Sequence, residues 1–238
     1  MQNDLIFDVG MHNGQDSEFY CRKGYRVVAI EANPLLCSEV GARLKAEVDT
    51  GKLTILNVGI APEEGELSFY VNDTLSHWSS FERELGARLG KFTEITVRTK
   101  KLSALFAEHG VPHYVKIDIE GYDLLALQDV LAEGLYPKFL SIENGRRAIV
   151  ELLVSHGYSG FKFINQAKVQ EATLPNPARE GKLIQHVFPF GASGPFGEET
   201  AGPWLGADEV SDVIDAYWNT PNFNAEEHGW FDLHAKRL

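Results

Sequence analysis

Short apolar runs of strand length alternate with stretches of helical spacing along most of this chain. Leu5-Ile6-Phe7, with Val9, is the first such run, and it leads into a turn that carries Gly10 and Gly14. The pattern then predicts a helix over Asp16–Lys23 stopped by Gly24, and a second strand over Tyr25–Glu31. Asn33-Pro34 opens the next helix, which runs through Leu35, Leu36, Val40 and Leu44. Leu53 to Ile60 reads as a third strand with its loop. Glu66 to Val71 and Ile95 to Thr99 alternate like short strands added antiparallel, with His77-Trp78-Ser79-Ser80 an irregular loop between them.

After a short helix over Leu102–His109, Tyr114 to Gly121 predicts a fourth strand and Tyr122 to Leu131 its helix. Phe139 to Asn144 is a fifth strand, Ala148 to Ser155 a helix, and Phe161 to Asn165 a sixth strand. From Ala167 to His228 the character changes. Gly and Pro thicken, with one helix near Asp208 to Trp218, before Trp230 to Lys236 alternates as a closing strand. Strand and helix in alternation with short links predict parallel neighbours in an α/β doubly wound sheet. Residues 1–238 form one domain on this reading, and 167–228 is an insertion placed as an acceptor-side lid. Phe196, Trp204 and the pair Glu198-Glu199 are its candidate lining, or else sit in a solvated loop with its aromatics tucked onto the core.

The 238 residues suffice for a full core, and 44% hydrophobic with 24% charged residues is ordinary for a globular protein. A net charge of −12 argues against a nucleic-acid partner, which needs a dense Lys/Arg face. The sequence has no apolar run of about 18 residues and no signal-like start, so the expectation is a cytoplasmic protein without a membrane partner. Cys21 and Cys37 are expected as free thiols in helices flanking the second strand.

Ligands of such sheets sit at the C-terminal strand ends. Asp8, Glu31, Asn57, Asp118, Glu120, Glu143 and Asn144 all fall there. Gly10 and Gly14 are spaced Gly-x-x-x-Gly, so the dinucleotide-binding Gly-x-Gly-x-x-Gly is absent. Asp16 and Ser17 read as helix-opening residues beneath that turn. Glu31, about twenty residues past the turn, can accept both hydroxyls of a ribose or can serve the start of the following helix.

Asp8-Val9-Gly10-Met11-His12-Asn13-Gly14, Glu31-Ala32-Asn33-Pro34, Asn57-Val58-Gly59-Ile60 and Lys116-Ile117-Asp118-Ile119-Glu120-Gly121 together resemble the FkbM family of S-adenosylmethionine-dependent methyltransferases. The resemblance covers about residues 5 to 165. It implies the class I methyltransferase fold, a Rossmann-like seven-stranded, mostly parallel sheet whose last strand is antiparallel, with helices on both faces. It also implies methyl transfer from S-adenosylmethionine to oxygen, on a small-molecule, sugar or other natural-product acceptor. Carried onto this chain, it puts Asp8, Gly10 and Gly14 around the methionine half of the cofactor; His12-Asn13 inside the turn departs from the family pattern, and His12, Asn13, Ser17, Ala32, Val58 and Asp118 are further cofactor-binding candidates. Glu31 falls on the ribose, and Asn57 to Ile60 near the adenine. His12 either hydrogen-bonds the cofactor or stabilises its own loop.

Methyl transfer needs an aligned acceptor and, for a hydroxyl, a base. Asp118, Glu120 and Glu143 are the candidate bases, and strand alternation would point Asp118 and Glu120 to one side. Structurally, Asp118 could instead order its loop. A divalent-metal site is the variant arrangement, with Asp118 or Glu120 joined by Glu143 and Asn144 as oxygen ligands. His77 is a further candidate for the pocket lining. The rival functions are a nicotinamide-dependent oxidoreductase, which Glu31 would serve equally, and a cofactor-binding module without catalysis.

Overall fold

A computed structural model describes residues 2–238. In chain order its elements are β1 (Gln2–Val9), α1 (Gln15–Arg22), β2 (Arg26–Glu31), α2 (Pro34–Arg43), α3 (Lys45–Asp49), β3 (Leu53–Asn57), β4 (Gly59–Ile60) and β5 (Gly65–Asn72). There follow α4 (Arg83–Gly86), β6 (Phe92–Lys100), α5 (Leu102–His109), β7 (Pro112–Ile117), α6 (Asp123–Ala132), β8 (Phe139–Glu143), α7 (Arg147–Ser155) and β9 (Tyr158–Asn165). The chain closes with α8 (Ala207–Trp218), α9 (Ala225–His228) and β10 (Phe231–Arg237).

Seven strands form the main sheet in the order β3-β2-β1-β7-β8-β10-β9. β10 is antiparallel to both its neighbours, and the other pairings are parallel. This is the Rossmann-like class I arrangement that the resemblance implies. Leu5 to Val9 are all buried because the sheet is covered on both faces. Successive side chains then serve opposite layers. Leu5, Phe7 and Val9 pack with α5, α6, α7 and α8. Ile6 packs on the other face with Phe19 and Tyr20 of α1 and Val40 of α2.

Several boundaries differ from the sequence reading. The third strand breaks at Val58, and its second half, β4, leaves the main sheet to pair with β6. The two short strands are the longer β5 and β6, antiparallel to each other in a separate sheet of order β4-β6-β5. β7 ends at Ile117 rather than continuing to Gly121. The helix start at Asn33-Pro34 is as read, since Asn33 Oδ1 of the side chain accepts from Leu35 N at 3.0 Å.

The Gly/Pro-rich excursion packs its aromatics onto the core, as the second reading of it has them. Phe188 and Phe196 are buried against Phe19, Tyr20, Tyr25 and Tyr114, with Phe196 stacked on Tyr114 at 4.8 Å. Lys23 and Glu199 form an ion pair of 2.9 Å with both side chains removed from water. The same Glu199 oxygen accepts from the backbone N–H of Arg179 and Glu180. Glu180 in turn accepts from Tyr25 Oη and meets His113 Nε2 at 2.8 Å. So Phe196 and Glu199 are buried against one face of the sheet and do not line the cleft. Glu198 is likewise engaged elsewhere, by Trp204 Nε1 and Lys236. No helix among the described residues is long and apolar enough to cross a membrane.

Candidate active site

A cleft of about 790 Å³, its open mouth included, lies over the C-terminal ends of β1, β2 and β7. Gly10 is the first reason it exists there. At φ +89° it lets the chain leave β1, and a Cβ at this position would overlap the Asp118 carbonyl oxygen on the neighbouring loop. Gly14 has φ +72° but faces Val40 of α2, so its lack of a side chain serves helix packing rather than the cleft. The turn between them is tied to β2, because Gly10 N and Met11 N both donate to Ile30 O.

Glu31 marks one end. Its carboxylate accepts from His12 N at 2.9 Å and from Asn33 N at 2.8 Å, which holds the two strand-end loops together. Burial raises its pKa against those two donors. Next to it lie Ala32 and an apolar wall of Val58, Ile60, Phe69 and Phe81. The loop between β5 and β6 closes this side, with Ser76 Oγ 2.8 Å from His12 Nε2 and His77 edge-on to His12. Desolvation, with His77 and Lys116 nearby, pushes the His12 imidazole down to about 4, so it stands neutral.

At the other end is a group that the sequence reading passed over. Lys116 Nζ donates to Gly10 O at 3.1 Å and lies 3.4 Å from Asp8 Oδ1, 3.4 Å from Asp16 Oδ2 and 3.5 Å from Asp118 Oδ2. Burial works against its charge, but these carboxylates with Asp232 outweigh it and hold the ammonium protonated. A lysine inside the apolar strand Tyr114-Val115-Lys116-Ile117 was the available signal, since buried lysines are rare unless paired. Asp16 does not cap its own helix. It accepts from Ser193 N at 3.0 Å and so joins the excursion to the cleft.

Glu120 sits past the end of β7 at φ +44°, so strand alternation does not govern where it and Asp118 point. Arg88 Nη2 donates to its carboxylate at 2.6 Å, and Ser80 Oγ to its backbone oxygen at 2.6 Å. Desolvation, opposed by Arg88 and reinforced by Asp118, lifts the Glu120 carboxyl to about 7. Asp123 orders this turn by accepting from Ile119 N and Gly121 N.

Of the residues expected around a cofactor, Gly10, His12, Asn13, Glu31, Ala32, Val58 and Asp118 line the cleft, and so do Glu120 and His77. Asp8, Gly14, Ser17 and Asn57 are outside the lining, the first three buried or packed behind it and Asn57 exposed. Asp8 is fully buried and accepts from Ser17 Oγ at 2.6 Å. Asn57 donates to the backbone oxygens of Glu31 and Ala32. Glu143 and Asn144 are bonded to each other through Asn144 Nδ2 at 3.0 Å, outside the cleft lining. That engagement, the Lys116–Asp118 contact and the Arg88–Glu120 pair do not fit a divalent ion. Among the described residues no group of three or more His, Cys, Asp or Glu is arranged to hold one.

The family model described as the methyltransferase FkbM domain matches residues 8–171. No curated protein matches the chain. Similar solved structures include an rRNA methylase from Streptococcus thermophilus, 11% identical over 99% of this chain and 87% of that one, with TM-score 0.42. A precorrin-6y C5,15-methyltransferase from Geobacter metallireducens GS-15 is 14% identical over 100% and 82%, with TM-score 0.43.

Proposed function

The chain belongs to the FkbM methyltransferase family, and we propose that it binds S-adenosylmethionine in the β1–β2–β7 cleft and methylates a hydroxyl on a small-molecule, sugar or natural-product acceptor. The observation that carries this reading is the polarity along the cleft. A carboxylate (Glu31) beside an apolar wall lies at one end, and an ammonium (Lys116) among carboxylates lies at the other. A nucleoside joined to an amino acid has that same division of polarity.

The residues present fit such a ligand. Each Glu31 oxygen accepts one backbone N–H and keeps a lone pair for a ribose hydroxyl. Val58, Ile60, Phe69 and Phe81 offer a flat purine an apolar face. The open Gly10 backbone and Asp118 face the zwitterionic end. When bound, the cofactor supplies an electrophilic sulfonium methyl. The protein's task is then to align an acceptor hydroxyl and hold its proton. Glu120 suits the second role, because a carboxyl near 7 is partly ionised at neutral pH and is basic enough to accept a proton. The family match favours this reading over a nicotinamide-dependent one.

Calorimetry with S-adenosylmethionine, S-adenosylhomocysteine and NAD tests the proposal. Binding of the two sulfur compounds alone, weakened at least tenfold in Glu31→Gln, is the expected result. Binding of NAD alone would overturn it.

A further inference from the structure

Beyond Asp118, two further carboxyl groups make no ion pair among the described residues. Asp232 and Glu143 are register partners across the antiparallel β10–β8 pair, so their side chains leave the same face of the sheet. That face also carries Lys116, whose register partner on β8 is Ser141, two residues before Glu143. Asp232 is 5% exposed, and among the described residues it makes no hydrogen bond and no ion pair. Asp118, Lys116, Asp16 and Asp123 are the charged groups that act on it, so it neighbours the Lys116 end of the cleft from outside the lining. Glu143 has a single hydrogen bond, from the adjacent Asn144. Gln166, directly after β9, is also buried, with neither amide atom partnered among the described residues.

Neither carboxyl oxygen of Asp232 takes a donor from the described residues, which leaves this largely buried side chain open to a donor brought by a ligand. The balance of charge says which ligand. Asp118, Asp16 and Asp232 act on Lys116, which Asp8, Asp16 and Asp118 already share, while Glu143 lies in the field of Asp118, Glu120 and Asp232. Arg88 is committed to Glu120. An anionic acceptor would be repelled here, and a neutral hydroxyl brings one donor. A protonated amine brings three donors and a charge.

We propose that Asp232 and Glu143 form an acceptor subsite for a protonated amine, so that the methylated molecule is of the amino alcohol or amino sugar class. The inference rests on the reading of the cleft as the methyl-donor site, with the nucleoside at the Glu31 end. Burial, with Asp118 and the other carboxylates, raises both carboxyls well above their usual range. An arriving ammonium favours their charged forms, so binding releases protons.

The test is calorimetry on protein saturated with S-adenosylhomocysteine. Glucosamine and 2-aminoethanol are titrated against glucose, ethylene glycol and glucuronate. The expected result is at least tenfold tighter binding of each amine than of its neutral counterpart, with a heat that depends on the ionisation enthalpy of the buffer. Asp232→Asn, checked for an unchanged thermal midpoint, should bring that preference within about twofold, and Glu143→Gln should act likewise. Asp49→Asn, an exposed carboxyl on α3 paired with Lys45, should leave it intact. No amine binding to a complex that holds S-adenosylhomocysteine would overturn the subsite, as would a preference that survives Asp232→Asn. Amine binding that requires added Mg²⁺ would overturn it too, by putting an ion between the carboxyls. Failure to hold S-adenosylhomocysteine at all would instead remove the donor-site reading, and this inference with it.

Discussion

Lys116 and Asp8 stand side by side in the register of β7 with β1, Nζ 3.4 Å from Oδ1, and both side chains are removed from water. They begin a row of polar residues that crosses the sheet through Ser141 and His234 to Lys162, all buried. Removing one partner of a buried ion pair strands the other's charge. Lys116→Met should therefore cost about 3–5 kcal/mol of stability. The double variant Lys116→Met/Asp8→Asn should recover much of it. Urea unfolding of the two variants measures both, and an unchanged single variant would show that the pair contributes nothing.

Glu120 at the mouth of the β7 loop sets a pH prediction for turnover. With its carboxyl near 7, the basic form grows as pH rises through that value, so the rate should rise along a limb near pH 7. Glu120→Gln should lower kcat by about 10²–10⁴-fold and abolish the limb, with cofactor affinity nearly unchanged. Arg88→Met removes a charge that lowers this pKa and should move the limb upward. Turnover that keeps its limb in Glu120→Gln would assign the base elsewhere.

His234 gives a stability prediction of fixed sign. Burial first, then Lys162, pushes its imidazole down to about 3, and its Nε2 has no partner among the described residues. The unfolded imidazole titrates near 6.5, so the stabilisation is present above that pH and is lost as pH falls toward 3. His234→Phe should lose about 2 kcal/mol less than the parent between pH 7 and pH 4.5. Urea midpoints at the two pH values decide it. Equal losses in the two proteins would mean that His234 does not drive acid unfolding.

The Lys23–Glu199 pair predicts how the excursion is held. Glu199 also gathers the backbone N–H groups of Arg179 and Glu180, so Glu199→Ala releases three donors at once, two of them buried. Limited proteolysis of that variant should cut between residues 180 and 196, while far-UV circular dichroism keeps its α/β character. A cleavage pattern identical to the parent's would show that the aromatic packing of Phe188 and Phe196 suffices.

A methyl group at Gly10 would meet the Asp118 carbonyl oxygen on a backbone with φ +89°. Gly10→Ala should lower stability by more than about 1 kcal/mol and weaken S-adenosylhomocysteine binding at least tenfold. Binding at parental affinity would place the ligand away from the β1 turn.

Strand and helix order, the Asn33-Pro34 helix start and the strand-end positions of Glu31 and Asp118 could be read from the chain, because each rests on local periodicity or on residues adjacent in sequence. What only the tertiary structure decided has a common cause, which is pairing between distant residues. Asp8 and Ser17 face each other behind the cleft, and Lys116 reaches Asp8, Asp16 and Asp118 from another strand. Asp16 looks like a helix-opening residue in sequence and instead holds Ser193, on a segment 177 positions away. For Phe196 and Glu199 the sequence leaves open a lid lining or a loop tucked onto the core, because Gly and Pro around them remove any periodicity. Their burial follows from a sheet face that α1 and α2 leave partly uncovered and that Tyr20, Tyr25 and Lys23 complete. Local pattern thus determined the layers and the edge of the sheet where a ligand would sit. The charges at that edge, and which of them remain free for a ligand, were decided by contacts that no short-range pattern encodes.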